Sequence, residues 1–585
     1  MRLRLLLAAV AGLLGAAAFP KPGIWPLAFL SVAGLSIAVS GQRPRRGALL
    51  GLVYGAGLFL PMLHWTATYV GSAPWLILVF SQTWFLGLLA AALPVVQRQR
   101  FGAVFSAALW VAEEALRSRV PFGGFPWGRW AFSQADSPLK WFAALGGAPL
   151  VSFSVALIGT LLAAAVLGRR LDDTDSDNYL ARRGGRLVAA VLVVLIGGAL
   201  AAPLRSAAQS GSSTTVAAIQ GNVPDRGLEF NARRRQVLDN HVAQTLKLAA
   251  DVQAGRLARP SLVLWPENAS DIDPTTNADA AAVIQRAVDA VGVPILVGAL
   301  IDGPGPTHVT NAGIVWMPSN SAAPGPGQRY VKRHPVPYGE YIPLRSVARA
   351  VSSKVDLVGR DMVAGQGDGL LTQTPYPIGD VICFEIAYDS LITSSVRAGA
   401  RLLVVQTNNA TFGHSAETYQ QLAMTRLRAV EHARTVVQVA TSGKSAIIGA
   451  DGRLLAESGE LFTVDVLVRT VPLSGSTTLA TRTGAAAEWL LVAVGVLGLV
   501  LGGRRNRQLA ARSRSAGSTD SRPTSRWARQ GRSTGDRGRE RVGSRSGGAA
   551  SDPGDHPDLQ RAGEPAGDPG PGALGGSRGR HPGGR

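Results

Sequence analysis

Cysteine is almost missing from this chain: Cys383 is the only one in 585 residues. A single thiol cannot close an intrachain disulfide, so Cys383 is either free or an intermolecular partner. Lysine is scarce too, with 6 Lys against 53 Arg, and the 8 His are scattered. No His/Cys/Asp/Glu cluster has metal-ligand spacing, so no metal or cofactor is expected. Internal repeats are lacking. From about residue 503 onward aliphatic residues nearly vanish, which excludes a self-supporting core there.

What the first 204 residues do have is apolar runs. Leu3–Phe19, Ile24–Ser40, Ala48–Val70, Trp75–Val96, Gly102–Leu116, Leu139–Leu167 and Leu187–Leu204 read as seven candidate spans. Several fall short of the ~20 residues that cross a bilayer core, so their limits are soft. Leu3–Phe19 is open to a second reading as a cleaved signal peptide, since arginines precede it and Ala16-Ala17-Ala18 closes it.

Arginines alternate between the links. Arg2 and Arg4, then Arg43, Arg45 and Arg46, then Arg98 and Arg100, then Arg169, Arg170, Arg182 and Arg183 mark one side. The positive-inside rule puts these in the cytoplasm and the chain after span seven outside. Arg117, Arg119 and Arg129 fall on the predicted outer side, in a link that also carries PFGGFPWGRW. That aromatic stretch reads equally as an interfacial belt or as a substrate-contacting segment. An eighth run, Trp489–Leu501, followed by Arg504, Arg505 and Arg507, returns the chain inside. The net charge of +20 therefore reads as membrane topology and anionic-lipid attraction, with no nucleic-acid partner expected.

Between these, residues 215–475 alternate short apolar runs with helical stretches. Val216–Ile219, Leu262–Trp265, Ile295–Val297, Gly313–Trp316, Val381–Cys383, Leu402–Gln406, Val436–Ala440 and Ala446–Ile448 read as buried strands. Ala278–Ala290 and Ala416–Ala433 read as helices, and Gly303–Pro306 and Ala322–Gly327 as turn-rich breaks. The predicted organisation is thus a membrane domain (1–204), an α/β domain (215–475), an eighth transmembrane helix (485–502) and a disordered Arg/Gly/Pro/Ser-rich cytoplasmic tail (503–585).

Three strand ends carry chemistry. Glu267 follows LVLWP, Lys332 follows a strand-like run and precedes RHPVPYGEYIP, and Cys383 sits in DVICFEIAYD. A thiol attacks a carbonyl as thiolate and needs a base. No histidine stands within thirty residues before Cys383, so a partly buried carboxylate, Glu267, is the candidate base. Lys332 is the candidate clamp for the tetrahedral oxyanion. Each has a plainer reading as core thiol, strand-end cap or surface charge; flanking Glu340, Tyr341 and Glu385 strengthen the set.

WPE at 265–267, Lys332 with HPVPYGEYIP at 334–343, and CFE at 383–385 resemble the Glu–Lys–Cys signature of the nitrilase, or carbon–nitrogen hydrolase, superfamily. AIQGNVP at 218–224 and TNNATFG at 407–413 match as well. With seven spans before the domain and one after, the nearer resemblance is to the bacterial apolipoprotein N-acyltransferase family, over about residues 1–502.

The resemblance implies an αββα sandwich outside the cytoplasmic membrane, standing on an eight-helix multi-pass membrane domain. Cys383 would take an sn-1 acyl chain from a membrane phospholipid. It would pass that chain to the amine of the diacylglyceryl-cysteine that begins an apolipoprotein. Glu267 would be the base, Lys332 the oxyanion clamp, and Glu340 and Glu385 supports. The Phe384 N–H would be a second oxyanion donor, and Asn311 aligns with a polar family position. Family members often carry Tyr where this chain has Phe384, and Trp-Phe-Gly where it has Thr411-Phe412-Gly413. Phe230 is the nearest counterpart of a family tryptophan. Two rivals remain from the residues alone: a membrane-anchored nitrilase-type amidase acting on a small amide, and a transporter or sensor without chemistry.

Overall fold

The computed structural model describes residues 1–171, 177–201, 212–223, 234–351 and 353–518. Phe230, Pro224 and most of the predicted tail lie outside the described residues. One compact unit, Met1–Gly517, contains everything discussed below.

The apolar N-terminal runs form helices. They are α1 (Arg2–Ala18), α2 (Leu27–Val39), α3 (Pro44–Met62), α4 (Trp65–Val70), α5 (Ser72–Gln97), α6 (Gly102–Arg117), α7 (Ala143–Leu171) and α8 (Asp177–Leu200). The run predicted as one span over Ala48–Val70 is two helices. Pro61 lies in the last turn of α3, and the chain turns at Leu63-His64 before α4. Glycines let α3 lie against α5: a Cβ on Gly51 would stand 2.3 Å from the Leu86 carbonyl oxygen.

Three helical segments are long and apolar enough to cross a membrane, Ser72–Gln97, Pro138–Gly168 and Ala486–Gln508. Leu27–Val39 and Val188–Leu200 are shorter apolar helices. Large apolar side chains also face outward, among them Phe80, Trp84 and Leu88 on α5 and Leu192, Val193 and Ile196 on α8. An outward apolar face of this kind suits lipid, not water.

The following region builds two sheets. Strands β1 (Ser213–Gln220), β2 (Leu262–Leu264), β3 (Ile295–Asp302), β4 (His308–Met317), β5 (Gly325–Val331) and β6 (Asp361–Met362) belong to the first. Strands β7 (Leu370–Leu371), β8 (Ile378–Ile382), β9 (Leu402–Thr407), β10 (Val436–Ala440), β11 (Ala446–Ile448) and β12 (Leu454–Glu457) form the second. Strand β13 (Asp465–Pro472) returns to pair antiparallel with β1, giving the first sheet the order β13-β1-β2-β3-β4-β5, with β6 on β4.

Helices α9 (Arg234–Gln253), α10 (Ala278–Val291), α11 (Arg345–Val351), α12 (Asp389–Arg397), α13 (Glu417–His432) and α14 (Leu479–Thr483) complete the domain. A last helix, α15 (Ala486–Ser518), carries the eighth apolar run and continues past residue 502.

Alternation along the strands sets the layers. Val216, Leu262 and Leu264 meet Ile378, Leu402, Val404 and Val437 between the sheets. Their neighbours Ala217, Ile219 and Val263 point the other way, onto α9 and α10. Val381, Leu403 and Val405 point away from the first sheet into a core that continues through α13 to Trp127, Trp130 and the N-terminal helices. The domain is therefore a helix–sheet–sheet–helix sandwich, and its second helical layer shares a core with the helical domain.

Candidate active site

Three strands end on one side of the sandwich. Strand β2 stops at Leu264, and Trp265-Pro266 lead to Glu267. Strand β5 stops at Val331, one residue before Lys332. Strand β8 stops at Ile382, one residue earlier than its sequence run suggests, because Cys383 takes φ +55° and opens a 3-10 turn over Cys383–Ala387. A left-handed non-glycine residue is uncommon, and backbone strain of this kind clusters at active sites.

The structure brings Glu267, Lys332 and Glu340 together. Lys332 Nζ donates to Glu267 Oε1 at 3.1 Å and to Glu340 Oε1 at 2.5 Å, and the lysine is only 1% exposed. Asn311 Nδ2 donates to Glu267 Oε1 at 2.7 Å, and the Asn408 N–H donates to Glu267 Oε2 at 2.9 Å. Three donors thus fix a carboxylate that is 4% exposed.

Burial works against the Lys332 ammonium, but Glu267 and then Glu340 outweigh it and hold its pKa well above the ordinary value. Lys332 is cationic throughout the physiological range. Cys383 is half-buried. Burial pushes the thiol pKa up, Glu267 adds to the rise, and Lys332 opposes it. The resting group is a thiol, so attack requires a base to remove its proton.

Glu385 stands apart from this cluster. It is fully buried and accepts from Tyr330 Oη (2.9 Å to both oxygens), the Arg333 N–H (2.7 Å), the His334 N–H (3.0 Å) and the Ile382 N–H (2.9 Å). It ties the Lys332 segment to the Cys383 turn, a positioning role. Tyr341 closes the loop through its carbonyl, which accepts from Tyr338 N at 2.8 Å.

The aromatic link now has a place. Phe384 stacks on Phe125 and Trp127, and Tyr388 Oη donates to the Gly124 carbonyl at 3.0 Å. Phe412 meets Trp65 of α4 edge-on at 5.0 Å. Both residues next to the thiol site therefore rest on the helical domain. Beside them runs an ionic chain, buried except at the half-buried Asp389: Glu114–Arg129 (3.6 Å), Arg129–Asp389 (2.9 Å), Asp389–Arg428 (2.7 Å) and Arg428–Glu431 (2.5 Å). Arg117 pairs with Glu113 and Arg119 with Glu488. The three arginines that broke the charge alternation are thus each paired with a carboxylate.

Sequence reasoning missed Thr407, Asn408, Asn409, Glu417 and Gln421, which surround Cys383 and Glu267. Thr407, Asn408 and Asn409 lie in the TNNATFG stretch and were findable there; Gln421, in the second turn of α13 among polar residues, carries no pattern. Among the described residues no group of three or more His, Cys, Asp or Glu could hold a metal ion.

Just beyond three strand ends of a two-sheet sandwich stand a Glu, a Lys and a Cys, and the family described as Carbon-nitrogen hydrolase matches residues 215–481. A second family, Apolipoprotein N-acyltransferase N-terminal domain, matches residues 11–161. An apolipoprotein N-acyltransferase of Mycolicibacterium smegmatis is 42% identical over 517 residues, covering 84% of each chain. One from Azotobacter vinelandii is 30% identical over 493 residues, covering 81% of this chain and 90% of that one. Among solved structures, an amidase from Nesterenkonia sp. aligns at 17% identity over 45% of this chain and 92% of that one, with a TM-score of 0.32. The chain belongs to the apolipoprotein N-acyltransferase family.

Proposed function

We propose that Cys383 carries a fatty acyl group from a membrane phospholipid to the amine of a diacylglyceryl-cysteine at the start of an apolipoprotein. The observation that carries this reading is the Lys332–Glu267–Glu340 cluster beside a left-handed Cys383, under aromatic residues of an apolar helical domain.

Glu267 accepts the thiol proton, and the sulfur attacks the ester carbonyl. Lys332 and the Phe384 N–H stabilise the oxyanion. The ester C–O bond breaks, the lysophospholipid oxygen takes the proton back, and a thioester remains. The lipoprotein amine then attacks and gives its proton to Glu267, the C–S bond breaks, and the departing sulfur takes that proton back as the thiol. Two substrates sharing one sulfur act in ping-pong order. Lipid anchoring is worth about 0.8 kcal/mol per buried CH₂, so an enzyme that meets both substrates within the bilayer avoids extracting either.

We assign eight membrane spans, seven before the catalytic domain and one after, to residues 1–204 and 485–502. Both termini then face the cytoplasm, and the catalytic domain (215–475) stands outside a bacterial plasma membrane. The alternating arginines support this orientation.

The test is a phospholipid labelled in its sn-1 chain. Label trapped on Cys383 and then moved to a diacylated lipopeptide is the expected result, lost in Cys383→Ala. Turnover of a small amide with no lipid label on the enzyme would replace this reading with the amidase.

A further inference from the structure

We propose that Gln421, oriented by Thr407 and Asn409, is a further catalytic residue that donates a side-chain N–H to the Cys383 sulfur and stabilises it as thiolate. The inference rests on Cys383 being the nucleophile. Gln421 lies in the second turn of α13, facing the end of β9. Its Nε2 stands 3.6 Å from Cys383 Sγ, within reach for the larger sulfur atom.

Two donors orient the amide. Gln421 Oε1 accepts from Asn409 Nδ2 at 2.9 Å and from Thr407 Oγ1 at 2.9 Å. An amide whose oxygen is held by donors must turn its NH₂ to the opposite side, which here is the sulfur. Asn409 Nδ2 also donates to Glu417 Oε2 at 2.8 Å. Thr407 Oγ1 itself lies 3.4 Å from Sγ. Its single proton serves either the sulfur or Gln421, so Asn409 keeps the amide oriented when the hydroxyl swings to the sulfur.

The sulfur needs such donors. Burial and the nearby Glu267 both disfavour its charged form, and Lys332 is already committed to two carboxylates. Hydrogen bonds to the charged form offset this. The same N–H acts twice in the cycle. It steadies the thiolate left when Glu267 takes the proton. It steadies it again when the C–S bond of the thioester breaks and the sulfur leaves with the electron pair.

Cys383 is the sole cysteine of the full chain, so iodoacetamide reads this one thiol. Alkylation of the detergent-solubilised protein is followed by mass spectrometry against pH. In Gln421→Leu the alkylation midpoint should rise by about one pH unit, the effect of one hydrogen bond to a charged group. Acyl-enzyme formation from labelled phospholipid at neutral pH should slow about tenfold. Gln421→Met is the second variant should the first fail to fold. An unchanged midpoint in either folded variant overturns the proposal. Wild-type protein that alkylates normally but takes no label from phospholipid would sink the acyl-transfer reading alone.

Discussion

Trp127 and Phe384 lie face to face, their ring centroids 5.8 Å apart and their planes 8° from parallel. One ring belongs to the link between two apolar helices, the other directly follows the nucleophile. Trp127 is 2% exposed, and its Nε1 donates to Gln420 of α13 at 2.6 Å. The backbone that carries Cys383 is therefore braced by the helical domain, not by its own sheet alone.

Trp127→Ala should cost about 3–5 kcal/mol, the usual loss for a buried aromatic, and should lower acyl transfer as well. Trp127→Phe keeps the stack but loses the Gln420 hydrogen bond, so its loss should be smaller. Thermal melts and label transfer measure both. A Trp127→Ala protein with unchanged melting temperature and turnover would refute the brace.

Lys332→Arg should reduce acyl-enzyme formation by about 100-fold or more. A planar guanidinium cannot take the place of an ammonium wedged between Glu267 and Glu340 without displacing one of them. Retained turnover would show that Lys332 is not the oxyanion clamp.

Glu385→Gln should destabilise the fold by about 1–3 kcal/mol or more, because one amide NH₂ would face backbone donors that now meet a carboxylate. Activity should fall with it, since the Lys332 and Cys383 segments lose their tie. Denaturant titration alongside the labelling assay checks this; a fully stable but inactive variant would instead give Glu385 a direct chemical role.

Burial pushes the Glu417 carboxyl up from 4.5 to about 8, against the hydrogen bond from Asn409. A raised acid holds its proton in the folded state where the unfolded chain has lost it. Its contribution to stability is present below pH 4.5 and is lost as pH rises toward about 8. Glu417→Gln should remove that slope, giving a melting temperature that declines less than the wild type's between pH 5 and 8. Parallel melting curves across this range would contradict the assignment.

The interior strands were legible because β-branched apolar runs buried on both faces have few other uses. Glu267 and Cys383 were legible because each stands at the end of such a run, whereas Lys332 follows GPGQRYV, which has no such pattern. Other parts were not. Helix α9 is polar over much of its length and offers little periodic signal. Strand β5 begins at Gly325, inside a stretch whose Gly and Pro content reads as a break. Strand β13 alternates weakly, and only its pairing with β1 fixes it. The aromatic link stayed open between two readings because its partner, Phe384, lies more than 250 residues away, and no local pattern encodes that distance. Gln421 is the plainest case: its role depends on the orientation of an amide, which a sequence does not record.

The left-handed backbone at Cys383 sets stability and chemistry against each other at a single atom. A Cβ in this region costs roughly 1–2 kcal/mol, which glycine would not incur. Cys383→Gly would thus remove the reactive group and relax the turn together. Such a protein is a natural trap for bound lipid substrates: unable to react, and locally at greater ease than the enzyme it replaces.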